Sequence, residues 1–339
     1  MSADKPRDKH SSPRTDLGAD RSALRGGGWR QALDRLAPLG FLVALALFFS
    51  LRSPAFFTPD NLTNIAVQIS VIAVIAIGET FVIVAAGIDL SVGSMVALTG
   101  VTAALLMKAG YAVPVAIGAG VCMGLLWGLF NGLLVTRAKL PSFIVTLGVM
   151  GIARGLALVL AKDVTISGLP PTFTALGPYR VFDKVPLLVL VMVVVAILAH
   201  VVLTRTRLGR YAYAMGSNVE ATRLSGVNVG LYMTLLFVVC GALAGLGGVM
   251  EAARTNIGQP TGGNLYELNA IAAAVIGGAS LMGGQGSVAG TLIGAFVMAV
   301  LRNGCNLLGV APSWQQILIG AIIIIAVLWD HLRQKRRGR

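Results

Sequence analysis

The sequence predicts an all-α, polytopic membrane protein, and three observations support this fold class. First, 56% of the 339 residues are hydrophobic and only 12% are charged, whereas about a quarter of a soluble domain is charged. Second, the mean hydropathy is +0.81, and apolar residues fall into runs of about 20. Third, the chain contains 42 glycines, a residue that is more frequent in membrane helices than in soluble ones.

About ten segments are long and apolar enough to cross a hydrocarbon core of roughly 30 Å as helices. The predicted spans are 36–52, 62–86, 91–107, 112–135, 142–161, 186–203, 230–250, 266–282, 286–303 and 313–329. Small residues repeat every four positions in the seventh span, at Gly241 and Gly245, and in the eighth, at Ala273 and Gly277. Because lipid gives helices no hydrophobic drive to associate, these stripes predict close helix crossings.

Positive charge is concentrated on one side of the predicted spans. Of the 27 Lys and Arg residues, 19 fall in the two ends of the chain or in loops on the same side, and seven fall on the other side. Because cytoplasmic loops keep the positive charge, both termini are predicted to be cytoplasmic. The chain then divides into a disordered basic tail at 1–34, a transmembrane domain at 35–330 and a basic cytoplasmic C-terminus at 331–339. We expect the basic tail to orient the chain and contact lipid, and we expect no nucleic-acid partner.

One face of the second span is polar. Asn61, Asn64 and Gln68 lie three or four residues apart, and Glu79 follows eleven residues later, close to three helical turns. Polar groups are costly on a lipid-facing surface, so this face is predicted to point into the bundle or a water-filled cavity. The stripe either forms hydrogen bonds between helices or lines a polar pathway.

The stretch GETFVIVAAGIDLSVGS, at 78–94, carries two acids, Glu79 and Asp89, in an apolar neighbourhood. An isolated charge near the bilayer centre costs about 3 kcal/mol or more, so such acids are paired or functional. Gly87 is predicted to take the left-handed conformation that ends the second span. Asp89 is predicted to cap the third span, with Ser91 as the alternative cap. Two states remain open for Glu79, which either pairs with a partner or is protonated.

The longest loop on the positive side, 204–230, contains a helix signal of its own. Ser217 or Asn218 is predicted to cap a short helix over 219–224, which Gly226 ends. A plain connection would be shorter and would not need both caps. We therefore expect this loop to dock a soluble partner.

Patterns typical of enzymes are missing from the sequence. It contains no G-x-x-x-x-G-K-[ST] motif, and the glycine run GGQGS at 283–287 lacks the lysine of a phosphate-binding loop. The three cysteines form no C-x-x-C pair, and the three histidines form no H-E-x-x-H motif. We predict no catalytic residue, no metal site and no cofactor.

Four blocks, in this order, resemble the permease subunits of ribose-type bacterial ABC importers. They are GETFVIVAAGIDLSVGSMVALTG, TRLGRYAYAMGSNVEATRLSGVNV, QPTGGNLYELNAIAAAVIGGASLMGGQGS and LRNGCNLLGV. The resemblance covers the chain from about residue 36 to 330.

The resemblance implies a multi-pass homodimer in the bacterial inner membrane. A periplasmic sugar-binding protein would deliver substrate to one side, where the loops 161–185 and 251–266 can meet an external protein. A cytoplasmic ATP-binding subunit, a tandem double-domain chain that holds ATP and Mg, would power transport from the other.

The resemblance also assigns coupling with the ATPase to the loop at 204–230. Glu220 and Ala221, followed by Gly226, are similar to the E-A-A-x-x-x-G motif of importer permeases, although Thr222 replaces the second alanine. The loop falls between the sixth and seventh spans, as in vitamin B12-type importers, so a vitamin B12-importer-like architecture is expected. The coupling residues expected from this match are Arg207, Gly209, Arg210, Glu220, Ala221 and Gly226.

The translocation path is inferred from polarity alone. A sugar needs hydrogen-bond partners and no counter-ion, which favours amides over charges. The residues predicted to line the path are Asn64, Gln68, Glu79, Asn303 and Asn306. The function predicted is import of a monosaccharide, ribose or a related pentose, hexose or polyol, by alternating access. The competing hypothesis is a proton-coupled secondary sugar transporter that uses Glu79 or Asp89 as the proton carrier.

Overall fold

A computed structural model describes residues 27–337, and most of the described chain is helical. Its helices, in order, are α1 (Gly27–Arg52), α2 (Pro59–Val84), α3 (Val92–Lys108), α4 (Val113–Thr136), α5 (Ser142–Ala161), α6 (Pro171–Thr174), α7 (Leu187–Arg205), α8 (Arg207–Ser217), α9 (Val219–Leu224), α10 (Val229–Thr255), α11 (Tyr266–Ile276), α12 (Val288–Leu307) and α13 (Pro312–Arg337). A two-stranded antiparallel hairpin, β1 (Arg180–Val181) and β2 (Val185–Pro186), precedes α7.

Within the described residues, six helices are long and apolar enough to cross a membrane, namely α2, α4, α5, α7, α10 and α12. Four further apolar helical stretches are shorter, at Ala37–Arg52, α3, α11 and Pro312–Leu328. The prediction of an all-α polytopic membrane protein is confirmed at this level.

The predicted terminal regions are only partly described. Residues 1–26 of the predicted tail lie outside the described residues, so their disorder stays a prediction. Residues 27–34 were predicted to belong to the disordered tail, but they are helical. Helix α1 begins at Gly27 rather than near residue 36. At the other end α13 continues to Arg337, and residues 338–339 also lie outside the described range.

The centre of the bundle is α2. From Val71 to Val84 every residue of this helix except Ile72 is buried. Helices α7, α10, α11 and α12 pack around it, and α8 touches its end. In α4, α5 and α7 large apolar side chains such as Leu126, Ile152 and Ile197 are exposed instead. Exposed apolar faces of this kind are expected where helices meet lipid.

Glycines bring α4 and α10 into backbone contact. A side chain at Gly124 would collide with the Gly241 carbonyl oxygen, and one at Gly128 would collide with the Phe237 carbonyl oxygen. A Cβ at Gly132 would lie 2.8 Å from Thr234 Cα. The close crossing predicted for the seventh span is therefore confirmed, with the glycines of α4 as its partner surface.

The predicted eighth span, 266–282, is too long. Helix α11 ends at Ile276, because Gly277 caps it and Gly278 takes a left-handed φ of +92°. Its small residues pack as predicted, since a side chain at Gly277 would collide with Gly290 of α12 and one at Gly294 with Ala273. The segment 277–287 between the two helices is irregular.

Candidate functional site

Two asparagines of the polar stripe form a structural pair. The Nδ2 of Asn61 donates to Oδ1 of Asn303 at 3.0 Å, and the Nδ2 of Asn303 donates back to Oδ1 of Asn61 at 2.8 Å. Both side chains are buried, and Asn303 is only 6% exposed. This reciprocal pair joins α2 to α12, and Asn303 does not line an open cavity in this conformation.

A small cavity of about 60 Å³ lies beside the first half of α2. It is lined by Gln68, Ile72, Arg254, Tyr266, Asn269, Met298, Ala299 and Arg302. Arg254 forms a two-pronged ion pair with Glu251, at 2.9 Å from Nε to Oε2 and 2.7 Å from Nη2 to Oε1. The hydroxyl of Tyr266 donates to the same carboxylate at 3.2 Å. The charges of Arg254 and Glu251 are therefore matched within the wall of the small cavity.

A wide cavity of about 510 Å³ adjoins it, between α11, α12 and α13. It is lined by Asn264, Leu265, Leu268, Asn269, Arg302, Asn306, Pro312, Gln315, Gln316, Ile319, Gly320 and Ile323. Across it, Nε2 of Gln315 donates to Oδ1 of Asn306 at 2.7 Å and to the Val310 carbonyl at 2.9 Å. Amides and one guanidinium supply its polar lining.

The residues predicted to line the translocation path therefore lie in different surroundings. Gln68 lines the small cavity and Asn306 lines the wide one. Asn64 is exposed and lines neither, and Glu79 is fully buried. Sequence reasoning missed Arg302, although its position inside the predicted ninth span was a signal, because ionisable residues within spans are rare and functional.

The two acids meet in one buried cluster at the other end of α2. Oε1 of Glu79 accepts the main-chain N–H of Asp89 at 3.0 Å, and Oε2 lies 3.7 Å from the Cys240 thiol, which donates to it. Oδ1 of Asp89 accepts the N–H of Ser91 at 2.9 Å and also its hydroxyl. Nδ2 of Asn131 donates to Ser91 Oγ at 2.9 Å and contacts Asp89 more loosely, at 3.3 Å to Oδ2.

The turn that connects α2 to α3 differs from the prediction at Gly87. The left-handed residue is Ala86, with φ +61°, whereas Gly87 is not in that conformation. The N–H of Gly87 bonds the Val82 carbonyl and that of Ala86 bonds the Ile83 carbonyl, which is the Schellman pattern. Glycine is needed at position 87 for space, because a Cβ there would lie 2.8 Å from Val82 Cγ1.

The N-cap of α3 is Ser91, the alternative, and not Asp89 as predicted. Ser91 occupies the N-cap position but makes no side-chain cap bond, because its hydroxyl points back to Asp89. The carboxylate of Asp89 instead holds the Ser91 amide. Asn131 of α4, which the sequence analysis did not identify, completes the cluster, and a lone asparagine in an apolar span was its signal.

The predicted short helix in the loop 204–230 is present as α9, Val219–Leu224. Asn218 caps it, accepting the Ala221 N–H at 2.9 Å, and Gly226 follows with φ +81°. The prediction is confirmed for α9, but it missed α8, which precedes it. Leu208, Ala212 and Met215 lie on one face of α8 and pack on the core, a helical spacing visible in the sequence.

The surface of α9 is open to a partner. Glu220 and Arg223 form an ion pair at 3.4 Å with side chains 72% and 62% exposed, and Leu224 is 87% exposed. Arg207, Arg210 and Ala221 are exposed as well. Gly209 is different, since it is buried and a side chain there would collide with the Leu203 carbonyl, so it serves packing.

Helix α8 contacts the end of α2 directly. A side chain at Gly216 would collide with the Val84 carbonyl, which also accepts the N–H of Gly284 at 2.8 Å. The hydroxyl of Tyr213 donates to the Gly286 carbonyl at 2.8 Å, and burial raises the pKa of Tyr213, so it keeps the proton that it donates. Both α2 and the segment 277–287 are therefore in direct contact with α8.

Residues 61–327 match the family described as "Branched-chain amino acid transport system / permease component". The chain is 42% identical to the ribose import permease protein RbsC of Escherichia coli K12, over 89% of this chain and 95% of the relative.

Other relatives carry the names of other sugars. The chain is 38% identical to the D-allose transport system permease protein AlsC of Escherichia coli K12, over 86% of this chain and 90% of the relative. It is 35% identical to the xylose transport system permease protein XylH of Haemophilus influenzae, over 87% and 96%. No solved structure matches the chain significantly. With nearly its whole apolar domain matched, this chain belongs to that family of transport permease components.

Proposed function

We propose that this chain is the membrane-spanning permease subunit of an ABC importer that carries a monosaccharide from the periplasm to the cytoplasm. The observation that carries the proposal is the 42% identity to a ribose import permease over 95% of that relative. Ribose is the first candidate substrate, with allose and xylose next, because relatives carry those names. The amide-lined wide cavity suits hydroxyl groups, which both donate and accept hydrogen bonds.

The finer architecture is proposed on the same basis. The six long spans and four shorter apolar helices together make ten crossings, with both termini in the cytoplasm and a vitamin B12-importer-like arrangement. In this orientation the segment 256–265 and both cavities lie near the periplasmic side, whereas α8 and α9 lie in the cytoplasm. The excess of Lys and Arg on the side of the termini supports this orientation.

The partners proposed are a second copy of this chain, a cytoplasmic ATP-binding subunit of tandem double-domain type and a periplasmic sugar-binding protein. The exposed Leu224 and ion pair of α9 suit contact with the ATP-binding subunit. On the periplasmic side, Phe182 at the tip of the β1–β2 hairpin is 90% exposed and suits contact with the binding protein. We propose that this chain holds no cofactor itself, and that ATP and Mg belong to its partner.

A conformational change in the ATPase would be transmitted to the two cavities through α2. Rigid displacement of α8 by the ATPase would push on Val84 at one end of α2, and Gln68 lines the small cavity nearer its other end. Residues such as Asn303 and Glu79, which are buried in this conformation, would line the path only in another state of the cycle. Asn64, Gln68 and Asn306 are the path residues already exposed or lining a cavity.

Reconstitution tests the proposed function. Proteoliposomes that contain this chain, its ATPase and its binding protein are expected to accumulate labelled ribose, allose or xylose only when ATP is inside. Leucine is the fourth probe, because the family description names branched-chain amino acids. Uptake of leucine alone would overturn the sugar assignment. Uptake by this chain without the ATPase, driven by a proton gradient, would favour the proton-coupled alternative.

Coupling is tested at α9. Glu220→Lys and Gly226→Pro are each expected to reduce ATPase stimulation by the loaded binding protein to the basal rate, while insertion is retained. Glu220 is exposed, so its loss costs little stability, and proline cannot adopt the left-handed φ of Gly226. The control is Lys139→Glu, a charge reversal at an exposed position of another cytoplasmic loop. Full stimulation in both α9 variants would refute the coupling assignment.

A further inference from the structure

We propose that Arg302 and Asn269 form a sugar-binding neck between the wide and the small cavity, through which the substrate enters from the periplasmic side. The inference rests on the proposed function and adds to it two residues that bind the substrate. It specifies a neutral, polyhydroxylated ligand held by hydrogen bonds.

The position of the neck follows from the linings of the two cavities. Asn269 and Arg302 are the two residues that line both of them. The wide cavity, at about 510 Å³, falls in the range of pockets that hold small ligands, whereas the small cavity, at about 60 Å³, does not. A sugar that moves from the wide cavity into the small one would therefore meet both of these side chains.

Arg302 differs from Arg254 and Arg154, which both have polar partners in the described part of the chain. Arg254 is neutralised by Glu251, and Nη1 of Arg154 donates to the carbonyls of Pro260 and Gly262 at 2.9 and 2.7 Å. Within residues 27–337, Arg302 makes no hydrogen bond or ion pair, and its guanidinium acts on Tyr266 only through its charge. A half-buried guanidinium that lines both cavities presents five N–H donors, and a ligand that brings oxygens there can accept from them.

Asn269 supplies the complementary group. It is 2% exposed, and its Nδ2 donates to the Leu265 carbonyl at 2.8 Å. That bond fixes the amide and leaves the carboxamide oxygen free to accept a hydrogen bond from a ligand hydroxyl. The guanidinium of Arg302 donates hydrogen bonds and the carboxamide oxygen of Asn269 accepts them. Together they match a sugar, whose hydroxyl groups both donate and accept hydrogen bonds.

Transport by the complete reconstituted complex tests the role of Arg302. Arg302→Gln is expected to lower ribose uptake between about ten- and a hundredfold, the range for losing a hydrogen bond to a charged donor. ATPase stimulation by the loaded binding protein should stay within about twofold of the wild type, because α9 is untouched. Arg302→Lys, which keeps the charge and loses the fork, should recover only part of the uptake. The control is Arg52→Gln, at an exposed position at the end of α1.

The outcomes separate the two proposals. If the wild-type complex transports none of ribose, allose and xylose with ATP, the proposed function fails. If the wild type transports and Arg302→Gln transports equally well, the neck is wrong and the function stands. If Arg302→Gln loses both uptake and ATPase stimulation, Arg302 serves structure or coupling, and the neck is again wrong.

Access to the wide cavity is a second, independent measurement. Gln316→Cys, in a Cys122→Ser background, is expected to react with a membrane-impermeant maleimide added from the periplasmic side, because Gln316 is exposed in the wide cavity. Asn303→Cys, at a buried site one residue from Arg302, should react at least tenfold more slowly. An unreactive Gln316→Cys would show that the cavity is closed to that side and would overturn the proposal.

Discussion

Gly128→Leu is expected to prevent the chain from reaching its folded state. A side chain at position 128 meets the Phe237 carbonyl oxygen and the backbone of Gly241, and backbone cannot yield as the end of a flexible side chain can. Ordinary overpacking costs about 1–3 kcal/mol, and forcing apart two helices whose backbones touch through glycines should exceed that. The expected result is loss of the monodisperse peak in detergent size-exclusion chromatography.

The matched control lies on the same helix. Gly118→Leu introduces the same side chain in α4. Apart from the backbone of α4 itself, no atom lies within 4 Å of a Cβ at this position, and Gly118 is exposed. This variant should elute as the wild type does. Equal behaviour of the two variants, whether both fold or both fail, would contradict the crossing of α4 with α10 as the cause.

Features set by composition over many residues were predictable from the sequence. Apolar length located the spans, since each predicted span overlaps a described helix. Spacing of small residues identified which spans cross closely, and caps located α9 to within a residue. These signals are local, so each can be read without knowing which helices become neighbours.

Features that depend on a distant partner were not predictable in the same way. Of the stripe expected to face inward, Asn61, Gln68 and Glu79 do so, but Asn64 is exposed. Only the fold shows that Asn61 pairs with Asn303 while Gln68 borders a cavity. The left-handed residue after α2 was assigned to Gly87 because glycine favours that conformation, whereas the Schellman pattern falls on Ala86. Packing of Gly87 against Val82 explains the glycine instead.

Asp89→Leu, in the buried acid cluster, is expected to lower the stability of the protein strongly. The leucine would leave the N–H and hydroxyl of Ser91 without their acceptor in a site that is 1% exposed or less. Each buried donor without a partner costs about 1–3 kcal/mol, so the variant should lose several kcal/mol of stability. We expect a marked fall in thermal stability in detergent and loss of transport, although the Glu79 contact to the main-chain N–H of residue 89 is unchanged.

Asp89→Asn separates a structural role from an ionic one. Its carboxamide oxygen can still accept from Ser91, and its new N–H₂ group meets Asn131, whose Oδ1 is buried without a partner within the described residues. Rotation of the Asn131 amide would let that oxygen accept, so this variant should stay within about 1 kcal/mol of the wild type and keep its transport. Normal thermal stability together with complete loss of uptake would instead show that the negative charge of Asp89 is needed for the transport cycle.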